Sequence, residues 1–175
     1  MSIRKERHYS ISPGIDSFDI DVAACELLTL FMADKPTQKL LSRHRFDGIS
    51  WRYDEYKKIR VPKLMIEIAA IYRLTSWRLE GHEREQERKR QVGVLFPEEA
   101  SDKMEDLNMH EACNKIIHAD EIVIEVRKVR KSPRHYFKED VRLFGSRGKQ
   151  EWMAGLWIPE FCDAAIQMPM LDLQF

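Results

Sequence analysis

Apolar residues recur every three to four positions over the first two thirds of the chain, which is the period of a helix with one buried face. A first helix is predicted from Asp16 or Ser17 and ends at 33–36, because proline disfavours a helical conformation in the residue before it. A second helix is predicted over 37–46, with Leu40 and Leu41 inward. The inward stripe of the first helix is predicted to comprise Phe18, Val22, Cys25, Leu28 and Met32.

Asp47-Gly48 is predicted as a turn, and the longest helical region follows it. Residues 53–61 lead to Pro62, a favourable first residue for a new helical turn. The apolar positions of this long helical region include Leu64, Ile68, Ile71, Leu74 or Thr75, and Trp77. The polar run 82–90 is interpreted as a solvated helix end with internal ion pairs, with a nucleic-acid grip as the alternative. A loop is predicted over 92–102, and a helix over Glu105–Ala119.

Alternation of apolar and polar residues replaces the helical period after Asp120. Strands are predicted over 121–129, 141–144 and 151–157, with a glycine-containing hairpin loop over 145–150 and a basic break over 131–134. Pro159 opens a last helix. The predicted fold is α+β and mainly α: a single domain with an irregular arm (1–14), a helical core (15–119), a small antiparallel sheet (120–158) and a C-terminal helix (159–167), followed by an apolar tail (168–175).

The overall charge of the chain bears on which classes of ligand it can bind. Lys and Arg number 29 and Asp and Glu number 29, so the formal charge is +0, which argues against a protein that simply coats nucleic acid or an anionic membrane. The three cysteines are widely spaced and are predicted to be buried, reduced thiols. No apolar run is long enough to cross a bilayer, and no signal peptide is evident. A cytoplasmic location is therefore expected, with no membrane contact.

A polar stripe on the helix before the first strand is the strongest candidate for chemistry. Glu111, Asn114, Lys115 and His118 fall at helical spacing on one face, with Met109, Ala112, Cys113 and Ile116 on the other. An imidazole can transfer protons near neutral pH, an amide can orient a phosphate or sugar, and a cation can neutralise developing charge. The alternative is an ordinary amphipathic helix whose C-terminus His118 stabilises.

Basic residues cluster after the first strand. Arg127, Arg130 and Arg134 are candidate substrate-binding residues, since cations there can contact phosphate beside His118. A solvated strand end is the alternative. The histidines lack the spacing of a helical metal pair, and the segment 145–149 lacks the full spacing of a phosphate loop, so neither a metal nor a cofactor is expected.

The helical core, the polar residue and histidine separated by one turn, and the helix that leads into a hairpin together resemble the HEPN (higher eukaryote and prokaryote nucleotide-binding) superfamily. Its catalytic members are metal-independent ribonucleases whose motif is an Arg and a His with four to six residues between them, commonly with a polar residue directly after the Arg. Asn114 and His118 match the polar residue and the His, whereas Cys113 stands at the Arg position. The resemblance implies a homodimer, with His118 as acid/base group and Asn114 as the orienting residue.

Two functions from different classes are therefore predicted. The first is a HEPN-like protein that binds RNA or a nucleotide, either as a metal-independent ribonuclease or as an inactive relative, because cysteine cannot grip a phosphate as arginine does. In it, Lys115 or the arginine cluster would neutralise the phosphate. The second is a non-enzymatic module that binds a protein partner through its polar helix face or apolar tail.

Overall fold

A computed structural model describes residues 17–44, 47–76, 89–97, 103–148 and 150–167. The predicted arm over 1–14, Trp77, most of the polar run 82–90 and the tail 168–175 lie outside these residues. Within them the chain forms, in order, α1 (Ser17–His44), α2 (Asp47–Ser76), β1 (Gln91–Phe96), β2 (Glu105–Asn108), α3 (Met109–Ile117), β3 (Glu121–Lys128), β4 (His135–Arg147), β5 (Gln150–Trp157) and α4 (Ile158–Ile166).

The described strands form one antiparallel sheet in the order β2-β1-β5-β4-β3. The α+β class is confirmed, and so are the strand after Asp120, the hairpin of β4 and β5, and the last helix. β4 and β5 are longer than predicted, so the connection between them is shorter. Gly148, in this connection, adopts a φ of 68°, a conformation that glycine reaches without steric cost. The sheet has two strands more than the sequence indicates.

The two long helices correct the predicted breaks at proline. α1 continues through Pro36 and α2 through Pro62. Residues 37–44 of the predicted second helix therefore belong to α1, and Asp47-Gly48 begins α2 instead of forming a turn. An internal proline removes one hydrogen bond of the helix. Pro36 is exposed, so the carbonyl group that loses its partner lies on the solvent side, while buried residues on both sides of the proline hold the helix against the core.

The buried face of α1 differs from the predicted one. Of the predicted stripe, Leu28 is partly buried against the core, Val22 and Met32 are 48% and 57% exposed, and the side chain of Phe18 lies outside the described residues. Cys25 is exposed as well, which corrects its prediction as a buried thiol, whereas Cys113 and Cys162 are buried as predicted. Leu40 is exposed and Leu41 is buried. α1 packs against α2, α4 and β4. It does so through a second set of apolar positions, offset from the predicted stripe by about half a turn: Ile20, Ala23, Ala24, Leu27, Leu30 and Phe31. On α2, Leu64, Ile68 and Ile71 are buried as predicted and Leu74 is exposed.

Gly93 lies inside β1, where a loop over 92–102 was expected. A Cβ atom at Gly93 would stand 2.0 Å from the carbonyl oxygen of Gly155 on β5. The glycine therefore serves the close approach of two paired strands instead of ending a strand. Gly93 suggests a loop in the sequence, but it is the residue that allows β1 to pair closely with β5.

The helix predicted from Glu105 begins four residues later. Residues 105–108 form β2, which pairs with β1, and Asn108 then caps α3 by accepting a 2.9 Å hydrogen bond from the backbone N–H of Glu111. Capping fixes the register of α3 and therefore the direction of its polar stripe. None of the described helices combines the length and apolarity needed to cross a membrane.

Candidate functional site

α3 presents the polar stripe as predicted. Met109, Ala112, Cys113 and Ile116 are buried against the core, which leaves Glu111, Asn114, Lys115 and His118 on the outer side. The helix ends at His118, whose backbone N–H donates to the carbonyl oxygen of Asn114 at 3.1 Å. The His118 side chain is exposed.

The stripe is linked by polar contacts within the protein. Arg73, near the end of α2, donates to the side-chain oxygen of Asn114. The amide nitrogen of Asn114 lies 3.3 Å from the Glu111 carboxylate, which also pairs with Lys115 at 3.4 Å. The Lys115 ammonium lies 4.2 Å from the ring centre of Trp152 on β5, within cation–π range. Together with Arg73 from α2, the stripe therefore presents two cations, one carboxylate and an exposed imidazole.

Arg73 is a functional candidate that the sequence analysis missed. It lies 41 positions before Asn114 and reaches it because α2 packs on α3. Its exposed guanidinium supplies the fixed positive charge that Cys113 lacks. In the sequence, Arg73 follows a run of apolar residues on a helix, with nothing to distinguish it from any solvated arginine.

The second candidate region is the connection between β3 and β4, which we call the basic turn (127–135). Three hydrogen bonds fix its backbone: Val129 N–H to the Arg134 carbonyl at 2.9 Å, Ser132 N–H to the Val129 carbonyl at 3.1 Å, and Arg134 N–H to the Ser132 hydroxyl at 3.2 Å. That hydroxyl also bonds to the hydroxyl of Ser42, at 2.8 Å, near the end of α1. The turn is thus attached to a helix that is far away in sequence.

The basic turn concentrates charge of one sign. From Arg127 to His135 the chain has five Lys or Arg residues and no Asp or Glu. Lys131 has a φ of 60°, the left-handed conformation, so the backbone reverses sharply at a residue with a cationic side chain. Arg127, Arg130, Lys131 and His135 are exposed, and Arg134 is half-buried.

A cleft of about 460 Å³ lies between α2 and the basic turn. Its lining joins apolar side chains to cationic ones, and Arg134 is the predicted site residue among them. Lys57 and Lys58, on α2, were not predicted. A second cleft of about 370 Å³, between α1 and the β3–β4 strands, includes Arg127 and Met32. The lining of the first cleft is Asp54, Lys57, Lys58, Val126, Pro133, Arg134, His135 and Phe137.

The floor of the first cleft is a buried ion pair. The Lys57 ammonium lies 2.6 Å from Asp34 on α1 and 3.2 Å from Asp54, and it contacts the face of the Phe137 ring at 4.3 Å. Asp34 accepts a further 2.7 Å hydrogen bond from the backbone N–H of Phe137. The charge of Lys57 is compensated inside the protein, so Lys57 is a structural part of the cleft. Lys58, which pairs with Glu55 at 2.9 Å, lies with Arg134 and His135 on the more exposed part of the lining.

Two further polar residues, Tyr53 and Gln38, lie beside this ion pair. Burial, followed by the charge of Asp34, raises the pKa of Tyr53 to about 12, so its hydroxyl stays protonated. Gln38 is fully buried, donates to Asp54 at 2.6 Å, and keeps a side-chain oxygen without a hydrogen-bond partner among the described residues. The region beneath the cleft is polar and tightly connected.

The structure does not bring the two predicted groups of site residues together. His118 precedes β3 and the basic turn follows it, so the eight residues of the strand separate them by roughly 25 Å at about 3.3 Å per residue. Asn114, Lys115 and His118 share one end of the molecule, and Arg127, Arg130 and Arg134 share the other end of β3. Charge from the arginine cluster cannot act at His118 within one chain.

No protein-family model matches this chain, and neither the curated proteins nor the solved structures contain a significant match. Within the described residues no group of three or more His, Cys, Asp or Glu side chains is placed to hold a metal ion.

Proposed function

We propose that the protein binds RNA or a nucleotide, and that the basic turn is its phosphate-binding surface. The observation that carries the proposal is the basic turn itself, with five Lys or Arg residues and no carboxylate over 127–135, on a backbone fixed by hydrogen bonds. A neutral chain that concentrates positive charge on one ordered turn offers a local site for phosphate. Arginine suits this role because its planar guanidinium can contact two phosphate oxygens at once.

The adjoining cleft supports a nucleotide as the unit that is bound. Val126, Pro133 and Phe137 give it an apolar wall, and Lys58 and Arg134 give it a cationic rim. An apolar wall suits the face of a base, and the rim suits the phosphate attached to it. Both parts of a nucleotide therefore find complementary surface within one cleft of about 460 Å³.

RNA cleavage at the α3 stripe is a second candidate, in keeping with the HEPN resemblance. The hydrogen bond from Arg73 to Asn114 is what favours it, because it places an arginine beside the amide one helical turn before His118. His118 would act as acid or base, and Arg73 would take the role of the absent motif arginine. We rank binding above cleavage because Asn114 and Lys115 already contact Glu111.

Binding is tested by titrating labelled single-stranded RNA at several salt concentrations. Replacing two exposed arginines of the turn, Arg127→Gln with Arg130→Gln, should raise the Kd about tenfold. It should also lower the salt slope by about 1.4, since each phosphate contact on a single strand contributes about 0.7. The matched control, Lys63→Gln with Lys103→Gln, removes the same charge elsewhere on the exposed surface and should change neither quantity.

The same RNA, incubated with a chelator and resolved on a denaturing gel, separates binding from cleavage. Intact RNA with salt-dependent binding is the expected result. Chelator-resistant cleavage that His118→Ala abolishes would establish the second candidate. Equal binding by the arginine variant and the control variant would refute the basic turn as the RNA-binding surface.

A further inference from the structure

Trp51, in the second turn of α2, presents an aromatic ring to solvent. It is 65% exposed, whereas Trp152 is 4% exposed and Trp157 is half-buried. Leu40 near the end of α1 and Ile49 on α2 are exposed as well, at 53% and 62%. We call this end of the helix pair, residues 39–44 and 47–52, the α1–α2 tip. Large apolar side chains that stay in water at one end of a molecule are typical of a surface that binds a ligand.

Basic side chains lie among these apolar ones. Lys39 and Arg43, one turn apart near the end of α1, and Arg52, next to Trp51 on α2, are all exposed. None of the three forms an ion pair with another described residue. The acidic residues that follow on α2 each pair with a lysine instead, so the positive charge of these three side chains is uncompensated.

The α2 wall of the first cleft continues to Trp51. Asp54 and Lys58, both of which line that cleft, come three and seven residues after Trp51 and therefore lie on the same face of the helix. Trp51 is roughly 10 Å from Lys58 along the helix axis at about 1.5 Å per residue. A ligand that fills the cleft can reach the tryptophan ring without leaving this face.

Trp51 also lies level with the basic turn. The contacts between α1 and α2 show that the two helices run antiparallel, and Gln38 donates to Asp54 at 2.6 Å between them. Ser42 comes one turn after Gln38 on α1, and Trp51 comes one turn before Asp54 on α2, so both lie at the same height. The Ser42 hydroxyl bonds to that of Ser132 in the basic turn at 2.8 Å. The exposed ring and the basic turn therefore belong to one end of the molecule.

We propose that Trp51 stacks on an unpaired base of a single-stranded RNA, while the phosphates of that strand contact the basic turn and the cations of the α1–α2 tip. The inference rests on the proposed function and narrows its ligand to an unpaired strand. A tryptophan ring can stack on the flat face of any base, so the contact is tolerant of sequence. In a duplex each base is already stacked between its neighbours and offers no free face.

Charge and continuity select RNA among the partners that an exposed tryptophan can contact. The apolar side chains of the tip alternate with basic ones, and the tip adjoins both the cleft and the basic turn. Sites for single strands combine aromatic rings and cations in this way, because each nucleotide brings one base and one phosphate.

A strand without bases tests the stacking contact directly. Labelled single-stranded RNA and an abasic strand of equal length carry the same phosphates. Trp51→Ala should raise the Kd for the RNA about tenfold and leave the Kd for the abasic strand unchanged. Tyr56→Ala is the matched control: Tyr56 is an exposed aromatic residue on a different face of α2, where it donates to Glu26 at 2.9 Å, and its loss should change neither Kd.

Intrinsic fluorescence gives a second readout. Unlabelled RNA should quench the emission of the wild-type protein, because a stacked base covers Trp51. Trp51→Phe keeps an aromatic ring and should restore most of the affinity that Trp51→Ala loses, but it should abolish most of the quenching. Circular dichroism confirms that the variants stay folded. A duplex of the same length should bind the wild type and Trp51→Ala with equal Kd.

Three results would overturn the proposal. Equal Kd values of the wild type and Trp51→Ala for single-stranded RNA would refute stacking and leave the basic turn as a phosphate site. Loss of affinity in Trp51→Ala for the abasic strand as well would show that the tryptophan supports the surface without contacting a base. Absence of RNA binding, together with a blue shift of the Trp51 emission on vesicles that contain phosphatidylserine, would assign the tip to a lipid surface and refute the proposed function too.

Discussion

Gly145 lies where the β4–β5 hairpin meets the end of α3. A Cβ atom there would stand 2.2 Å from the ring of Trp152 and 2.9 Å from the carbonyl oxygen of His118. Trp152 is buried and carries the Lys115 ammonium over its face. One glycine therefore lets an aromatic ring and a helix end approach the same point of the sheet.

Gly145→Ala should lower the free energy of unfolding by about 1–3 kcal/mol, the usual cost of overpacking a filled site. A tryptophan ring and a backbone carbonyl are both poorly able to move aside, so relaxation gives little relief. Urea denaturation followed by circular dichroism measures the change.

Gly48→Ala is the control for the general effect of removing a glycine. Gly48 lies in the first turn of α2, and a Cβ atom there would meet nothing within 4 Å, so alanine should be neutral or stabilising by up to about 1 kcal/mol. Equal stability of the Gly145 variant and the wild type would show that Trp152 is not held against the hairpin.

Individual residues of the α3 stripe could be predicted because they depend on a short helix with one clear period. Met109, Ala112, Cys113 and Ile116 fall on the buried side as expected. Arg73 could not be predicted, since its role depends on the packing of α2 against α3 and leaves no local signal. α1 shows the limit of periodicity: apolar residues recur on two sides of the helix, and of the predicted stripe Leu28 meets the core whereas Val22 and Met32 face solvent.

At the scale of elements, the Asp34–Lys57 pair joins three parts of the chain. Asp34 belongs to α1, Lys57 to α2, and the backbone N–H of Phe137 that also bonds Asp34 belongs to β4. Both charged side chains are almost completely buried. Removing one partner from such a pair leaves the other charge buried without compensation.

Lys57→Met should therefore destabilise the fold by about 3–5 kcal/mol, the range for breaking a buried ion pair. The double variant Asp34→Leu with Lys57→Met should be closer to the wild type, because no uncompensated charge is left. Chemical denaturation of the two variants supplies both values. If the double variant is less stable than the single one, the packing of the side chains and not their charge holds the three elements together.

Sequence rules predict that Pro36 and Pro62 end their helices, and the buried residues on both sides of each proline explain why they do not. Sequence rules end a helix near Pro36, yet Asp34, Gln38 and Leu41 are all buried and hold α1 in place on both sides of the proline. Pro62 lies likewise between the buried residues Val61 and Leu64. Local propensity amounts to a few kcal/mol at most, and tertiary packing over a whole helix exceeds it.

At the scale of the whole molecule, the two candidate sites define a distance. The hydrogen bond between Ser42 and Ser132 attaches the basic turn to the end of α1. The α3 stripe lies at the other end of β3, roughly 25 Å from the basic turn at about 3.3 Å per residue. A single RNA strand must cover that span to contact both sites.

RNA affinity should consequently depend on length in two stages. Strands shorter than the span contact the basic turn alone, whereas longer strands also reach the cations beside Asn114 and gain effective concentration, so their Kd should fall by about tenfold. Arg73→Gln should abolish that gain while leaving the affinity for short strands unchanged, because Arg73 contacts Asn114 and lies outside the basic turn. A fluorescence titration with a graded series of RNA lengths measures both effects. If long strands gain equally in the Arg73 variant, the added affinity comes from phosphate contacts elsewhere on the surface, and the α3 stripe takes no part in binding.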